Sequence, residues 1–176
     1  MNSGSYHLVG SPGCGSVLVE AALTLAGLPF ELEDIAFEAL GPQHPRLGQL
    51  NPLGQVPVLV LPDGQVMTES AAILLYLGEV APTAGLVPPP GDARRPAFLR
   101  WLVTLVAAIY PTFTSADFPA RFVPAGKAAK QLEASSLARR QVLWSHVEAA
   151  AGAPWFLGER FSALDLYVGA ITRWRP

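Results

Sequence analysis

Residues 11–17 form a short segment of small and polar residues that carries the first groups able to do chemistry. Ser11 followed by Pro12 is a common way to begin a helix, with the serine as N-cap and the proline at the first helical position. The same geometry also suits chemistry, because a hydroxyl beside the unpaired N–H groups of a helix N-terminus stabilises an anion. If that anion is a thiolate, the hydroxyl lowers the pKa of the thiol and makes it a nucleophile at neutral pH.

Cys14 lies in the same segment and is the one cysteine of the chain. The positive end of the helix dipole could activate its thiol, or the residue could be a small side chain packed at the helix start. With no second cysteine, an internal disulfide, a dithiol exchange centre and a four-cysteine metal site are all excluded.

A second segment, residues 51–59, places a proline inside an apolar strand. Proline is disfavoured there because it removes a hydrogen bond of the strand ladder. Pro57 therefore indicates either an edge position or a cis Val56–Pro57 bond. A cis bond would turn the backbone N–H and C=O of Val56 outward, where they could pair with an extended peptide ligand as a strand does.

The third segment is Thr68-Glu69-Ser70, which directly precedes the apolar helical run 71–77. One interpretation is capping of that helix by Ser70 or Thr68. The other is a site for a zwitterion, in which the helix N-terminus and the Ser70 hydroxyl hold a carboxylate while Glu69 pairs with an ammonium group.

Strand and helix patterns alternate in the part of the chain that must position these segments. Alternating or continuous apolar residues, bounded by turn residues, predict strands at 6–10, 30–35, 56–61 and 66–67. Helical patterns cover 16–26 and 70–80, so the order is β-α-β, an irregular stretch, and β-β-α.

The proline-rich residues 82–92 cannot continue a helix or a central strand and are predicted to be a linker. After it, helical patterns cover 93–109 and 126–151, and a further helix begins at Ser162. Pro111 is expected to bend or end the first of these helices. The chain is therefore predicted to hold an α/β domain, residues 1–81, and an all-helical domain, residues 93–176.

Composition excludes several other classes of protein. Apolar residues make up 51% of the chain and charged residues 15%, so it is not disordered, and a net charge of −2 offers no general attraction to nucleic acid or anionic lipid. No signal peptide is visible, and apolar runs are interrupted short of the ~20 residues of a membrane span, so a cytoplasmic location is expected. The histidines His7, His44 and His146 lie in separate segments and predict no metal site.

In this order and spacing, the three segments resemble the glutathione transferase family, in particular bacterial members of the serine type or similar to the beta and theta classes. The resemblance implies a thioredoxin-like first domain and glutathione as the co-substrate. It implies that Ser11 supplies the activating hydroxyl and that Val56 pairs with the cysteinyl backbone of glutathione. Gln55 would lie near the glycine carboxylate, and Glu69 with Ser70 would bind the γ-glutamyl end.

The same resemblance implies structural roles for residues of both halves. Pro57 would belong to the family's cis-proline strand. Residues 161–166 resemble the family's capping motif, and they also fit it physically: Ser162 as N-cap and Asp165 as the acid at N3 form a capping-box variant, flanked by the apolar pair Phe161 and Leu166.

Two departures from the family pattern bear on the mechanism. In the bacterial cysteine-type class, the reactive cysteine occupies the position that is Gly15 here, and Cys14 comes one residue early, which favours Ser11 as the activating group. The family usually has further helices after the capped one, whereas this chain stops at Pro176. The helical domain is therefore expected to be incomplete at its C-terminus.

The hypothesis that follows is conjugation of glutathione to a small apolar electrophile in detoxification, by a homodimeric enzyme without a metal. The electrophile would lie between the domains, against Tyr110, Phe113 and Phe118. One alternative is a glutathione-dependent isomerase, reductase or dehalogenase, and a mixed disulfide of Cys14 with glutathione would favour the reductase. The other alternative is a non-catalytic interaction module of the same fold.

Overall fold

A four-stranded mixed sheet organises the first half of the chain in the computed structural model, which describes residues 4–174. The strands are β1 (Tyr6–Gly10), β2 (Phe30–Asp34), β3 (Val58–Val60) and β4 (Val66–Met67), in the spatial order β2-β1-β3-β4. Strand β1 is parallel to β2 and antiparallel to β3, which is antiparallel to β4. The predicted succession of four strands along the chain is confirmed, although β3 is shorter than predicted and begins just after Pro57.

Three helices accompany the sheet: α1 (Ser16–Leu25), α2 (Pro45–Leu50) and α3 (Ser70–Val80). Helices α1 and α3 pack against each other and bury the apolar residues that their periodicity predicts. The sequence did not predict α2, because only Leu47 of its six residues is buried and so short a helix shows no periodicity.

The second half is helical, as predicted, with α4 (Arg95–Thr104), α5 (Tyr110–Asp117), α6 (Lys127–Ala150) and α7 (Ala163–Ile171). A π-helical turn, Leu105–Ile109, joins α4 to α5 without a break. Together with the mixed sheet, these helices give the expected thioredoxin-like α/β part followed by an all-helical part.

Of the two predicted effects of Pro111, bending or ending its helix, the second does not occur, because the helical run continues past this residue. Immediately before it the hydrogen-bond ladder widens, and the N–H of Tyr110 donates to the carbonyl of Leu105, five residues back. A π-turn of this kind inserts one residue into the helix, accommodates a following proline and is often found at functional sites. It also sets the direction in which Tyr110 points.

The continuous helical run from Arg95 to Asp117 spans 23 residues and is long and apolar enough to cross a membrane by those two measures alone. Its apolar face is already used within the protein, because Phe98, Leu102 and Leu105 are almost completely buried in the main core. This helical run is therefore part of the core of the protein.

Helix α7 joins the two halves into one apolar core. It packs against α1 and α4, and its residues Leu164, Tyr167 and Ile171 are fully buried. The N–H of Ala163 donates to the carbonyl of Leu86, at 2.8 Å, which fixes the start of the helix against the connecting segment.

Asp165 organises the entry to α7. One carboxylate oxygen accepts from the N–H of Ser162 at 2.8 Å, as the capping-box variant predicts, and the other accepts from the N–H of Phe156 at 2.7 Å. The carboxylate thus ties the preceding loop to the first turn of the helix.

We expect Asp165→Ala to lower the free energy of unfolding by about 2 kcal/mol, because two backbone donors lose a charged acceptor. Urea unfolding measures the change as a lower midpoint at unchanged slope. The matched control is Glu133→Ala on the exposed face of α6, expected to change stability by less than about 0.5 kcal/mol. Equal losses in the two variants would contradict this role of Asp165.

Candidate functional site

A cavity of about 800 Å³ lies between the α/β half and the segment that begins with the π-turn and continues through α5, and its size is in the range of ligand pockets. One wall combines the start of α1, the loop before β3 and the start of α3. The opposite wall comes from residues 106–121 and Trp174. Most of its side chains are aromatic or aliphatic, and Thr114, Asp117 and Arg121 are its polar members. The three segments that the sequence singled out therefore meet at one cavity.

Ser11 is not the N-cap of α1, and that interpretation of the Ser-Pro pair is wrong. The helix begins at Ser16 with Gly15 as N-cap, because a turn comes first, with Gly13 at φ +75° and the N–H of Cys14 donating to the carbonyl of Ser11. The hydroxyl of Ser16 accepts from the N–H of Ser11 and donates to its carbonyl, both at 3.0 Å.

The Ser11 hydroxyl is buried and has no hydrogen-bond partner among the described residues. It does not line the cavity, whereas the neighbouring Cys14 is half-buried and does. Burial raises the pKa of the Cys14 thiol, and the nearby Ser11 hydroxyl opposes this only in part. Without a ligand, Cys14 is therefore a neutral thiol, and Ser11 holds an unused donor beside it.

The loop before β3 presents Gln55, Val56 and Pro57 to the cavity, and the Val56–Pro57 bond is cis. Asn51, which is 7% exposed, fixes this loop: its amide donates to the carbonyl of Gln55 at 2.9 Å, and its oxygen accepts from the N–H of Leu53 at 3.1 Å. The sequence did not predict this role of Asn51, although an asparagine before a proline is a known turn signal.

Gly54 allows the same loop to lie against the backbone of residues 41–42. Its φ is +63°, and a Cβ atom at this position would collide with Gly41 and Pro42. Both the backbone angle and the lack of space therefore require glycine.

Glu69 and Ser70 lie at the start of α3, but neither caps it. Glu69 is the N-cap residue by position and makes no side-chain cap, so the capping interpretation of Thr68 and Ser70 is wrong. Within residues 4–174, Glu69 is the one residue other than glycine with positive φ, at +63°. Such strained backbone is typical of functional sites. The first turn of α3 faces the cavity without a side-chain cap, which suits an anion.

The Ser70 hydroxyl is instead bonded to the hydroxyl of Tyr167, at 2.6 Å. Tyr167 belongs to α7 and is fully buried, and this burial raises the pKa of its hydroxyl. The helical half thereby reaches into the polar wall of the cavity. Sequence reasoning missed Tyr167, because a tyrosine on the apolar face of a helix is indistinguishable from an ordinary core residue.

Aromatic rings form much of the opposite wall, and the three predicted residues Tyr110, Phe113 and Phe118 all line the cavity. Trp174 packs edge-to-face on Tyr110 and Phe113, with ring centroids 4.9 and 5.7 Å apart. Phe37 lies on the other side of the cavity, and its ring centroid is 6.2 Å from that of Phe118. The sequence predicted neither Trp174 nor Phe37, because nothing in the spacing relates them to the helix.

No group of three or more histidine, cysteine, aspartate or glutamate side chains in residues 4–174 is arranged to hold a metal ion. The polar groups at the cavity are hydroxyls, one thiol, amides, the carboxylates of Glu69 and Asp117 and the guanidinium of Arg121, with uncapped helix N–H groups. These groups are suited to holding a polar peptide-like molecule and to stabilising an anion.

Comparison with known proteins gives one consistent result. The family model for the glutathione S-transferase N-terminal domain matches residues 17–80. An uncharacterized GST-like protein of Escherichia coli K12, YncG, is 40% identical over 169 residues, which cover 95% of this chain and 80% of that protein.

Solved structures of glutathione transferases are also similar to this chain. A glutathione transferase homolog from Sulfitobacter, with bound glutathione, has a TM-score of 0.89 at 27% identity and covers 97% of this chain and 82% of its own. A glutathione transferase from Methylococcus capsulatus has a TM-score of 0.77 at 35% identity, covering 96% of this chain and 81% of its own.

The raised pKa of Cys14 predicts slow alkylation of the ligand-free protein. A higher pKa leaves less thiolate at any pH below it, so iodoacetamide should react more slowly at pH 7–8 with the native protein than with the urea-unfolded chain. The single cysteine makes the rate unambiguous. Ser11→Ala should slow the reaction further. Faster reaction of the native protein at pH 7 would instead indicate an activated thiolate.

Proposed function

The chain belongs to the glutathione S-transferase family, and we propose that it carries out glutathione transfer by holding the thiol of glutathione as a thiolate beside the start of α1. The thiolate then attacks a small apolar electrophile on the aromatic side of the cavity. The family match, the relatives and the glutathione-bound structural neighbour support glutathione as the co-substrate.

The observation that carries this mechanism is the meeting of three distant segments on one wall of the cavity. A tripeptide with a charged group at each end and a thiol in the middle needs three sets of contacts. We assign the cysteinyl backbone to Val56, the glycine carboxylate to the neighbourhood of Gln55, and the γ-glutamyl ammonium to Glu69. The γ-glutamyl carboxylate is assigned to Ser70 and the uncapped start of α3.

Tyr167 supports this assignment from the helical half. When the Tyr167 hydroxyl donates to the oxygen of Ser70, the O–H of Ser70 remains available to donate to a carboxylate. Tyr167 is therefore a positioning residue, which acts on the ligand only through Ser70.

Ser11 is the proposed activating group. Its buried hydroxyl has no partner, and a buried polar group without one carries a desolvation cost that a ligand can relieve. We infer that the Cys14 side chain turns aside when glutathione binds, so that Ser11 donates to the sulfur. The thiol proton passes to solvent, the sulfur forms a bond to carbon, and the leaving group departs with its electron pair.

The position of Cys14 favours a second candidate, a glutathione-dependent reductase. Its thiol lines the cavity where Ser11 does not. In this reaction the Cys14 thiolate attacks the disulfide of a glutathionylated substrate, releases the substrate as a thiolate and becomes a mixed disulfide with glutathione. A second glutathione then attacks that bond, restores Cys14 and leaves as oxidised glutathione.

The location, the oligomeric state and the roles of the two halves are also proposals. We infer a cytoplasmic homodimer that acts in detoxification, in which residues 1–81 bind glutathione and residues 93–176 supply the electrophile wall. The unpaired cysteine suits a reducing compartment, and the apolar composition suits a subunit interface.

Calorimetry with glutathione tests the proposal. Wild type should bind, Ser70→Ala should bind about ten-fold more weakly because a carboxylate loses a donor, and Tyr167→Phe should weaken binding by a smaller factor. The matched control is Tyr76→Phe, whose hydroxyl does not line the cavity and whose affinity should equal that of wild type.

A folded wild-type protein that binds no glutathione would contradict the proposal and leave an interaction module as the function. Conjugation of a generic aromatic electrophile by Cys14→Ala at the wild-type rate would exclude the thiol from the transfer reaction. Loss of disulfide reduction in that variant, with wild-type reductase activity in Tyr76→Phe, would favour the reductase.

A further inference from the structure

We propose that the Tyr110 hydroxyl is a catalytic group that donates a hydrogen bond to the glutathione sulfur, and that Gly15 is required because any side chain there would displace this hydroxyl. The inference rests on the proposed function and adds a second donor to Ser11 at the sulfur. Tyr110 therefore differs from the other aromatic residues of the cavity, because its hydroxyl takes part in the reaction whereas their rings only form the wall.

The geometry at Gly15 is the first observation. Its φ and ψ are −62° and −12°, an ordinary right-handed conformation that any residue adopts, so the backbone does not require glycine. A Cβ atom at this position would lie 2.8 Å from the Tyr110 oxygen, whereas the next nearest atoms, two ring carbons of Tyr110, would be at an ordinary 3.7 Å. A side chain at this position would therefore have to displace the Tyr110 hydroxyl, and it would meet the rest of the ring at ordinary contact distance.

The position of the Tyr110 ring is the second observation. Tyr110 follows the π-turn Leu105–Ile109 directly, lines the cavity, and is packed edge-to-face against Trp174. The ring is thus held by its neighbours, and its oxygen is brought to the N-terminus of α1. Within residues 4–174 the Tyr110 hydroxyl has no hydrogen-bond partner, so it is free to donate to a ligand.

The protonation state of Tyr110 suits a donor. Burial raises the pKa of its hydroxyl to about 12, and the thiol of Cys14 and the carboxylate of Glu69 act in the same direction. The other titratable group that interacts with it is Tyr167, itself protonated. Tyr110 therefore keeps its proton throughout the neutral range. A neutral phenol beside a thiolate has only its O–H to offer, and it stabilises the charge as a preorganised donor.

The place of the sulfur follows from the two ends of glutathione. With the γ-glutamyl end at Glu69 and Ser70 and the cysteinyl backbone at Val56, the remaining part of that wall is the turn that holds Gly13 and Cys14. We therefore assign the sulfur to the start of α1, where the Tyr110 hydroxyl lies. The Ser11 hydroxyl reaches the sulfur once the Cys14 side chain has turned aside.

A double-mutant cycle on steady-state conjugation tests the pair. Tyr110→Phe keeps the ring and should lower kcat about ten-fold, with the acidic limb of the kcat profile moved to higher pH, because less glutathione is ionised. Affinity for S-methylglutathione, which has no thiol to ionise, should stay near wild type. Gly15→Ala should reproduce these effects by displacing the hydroxyl.

In the Tyr110→Phe background, Gly15→Ala should cost little more, because the two losses share one cause and are not additive. Alanine at the φ and ψ of Gly15 is compatible with folding. The matched control is Tyr76→Phe, which changes a tyrosine outside the cavity and should leave the pH profile of kcat unchanged.

Wild-type kcat and an unmoved pH profile in Tyr110→Phe would overturn the inference while leaving the proposed function intact. Fully additive losses in the double variant would overturn the assigned role of Gly15. Failure of wild type to bind glutathione would overturn the proposed function itself, together with this inference.

Discussion

The burial of α7 between the two halves is the constraint on which the rest of the structure depends. Its apolar face contacts α1 and α4, and its entry is fixed by the carboxylate of Asp165 and by the bond from Ala163 to the carbonyl of Leu86. From this position Tyr167 reaches Ser70, at 2.6 Å, across 97 residues of sequence. The helical half therefore supplies the aromatic wall of the cavity and also supports the wall that holds Ser70, so the stability of α7 and the order of the ligand site are physically linked.

The site concentrates features that a structure selected for stability alone would avoid. The Ser11 hydroxyl is buried without a partner, Glu69 holds a backbone angle that favours glycine, and the start of α3 lacks a side-chain cap. Each feature costs free energy in the ligand-free protein. Glu69 and the start of α3 present a charge and N–H donors to the cavity, whereas the Ser11 hydroxyl is buried beside the cavity residue Cys14. Glutathione, with two carboxylates, an ammonium group and a thiol, complements this set. The strain and the unused donors are thus explained together by one ligand.

Much of the fold could be predicted from the sequence, because periodic apolar residues and turn residues mark most strands and helices. The cavity residues of the three segments could be predicted from their order along the chain. What could not be predicted depends on contacts between distant residues or on local geometry. The turn at Gly13 keeps Ser11 out of the N-cap position of α1, although the start of that helix at Ser16 was predicted. The six-residue helix α2 has too few buried positions to show a period, and the π-turn before Pro111 lets the helical run continue. Sequence spacing predicts neither the hydrogen bond between Tyr167 and Ser70 nor the close approach of the Tyr110 hydroxyl to Gly15.

The proposed role of the Ser11 hydroxyl is to stabilise the thiolate of glutathione bound in the cavity. The pKa of the bound thiol tests this role, and it is measured by the ultraviolet absorbance of the thiolate as the complex is titrated with base. In wild type we expect a value clearly below the ordinary thiol pKa of about 8.5, and in Ser11→Ala a return toward it. A bound thiol that titrates like free glutathione in wild type, or an equally lowered pKa in Ser11→Ala, would show that Ser11 does not have this role.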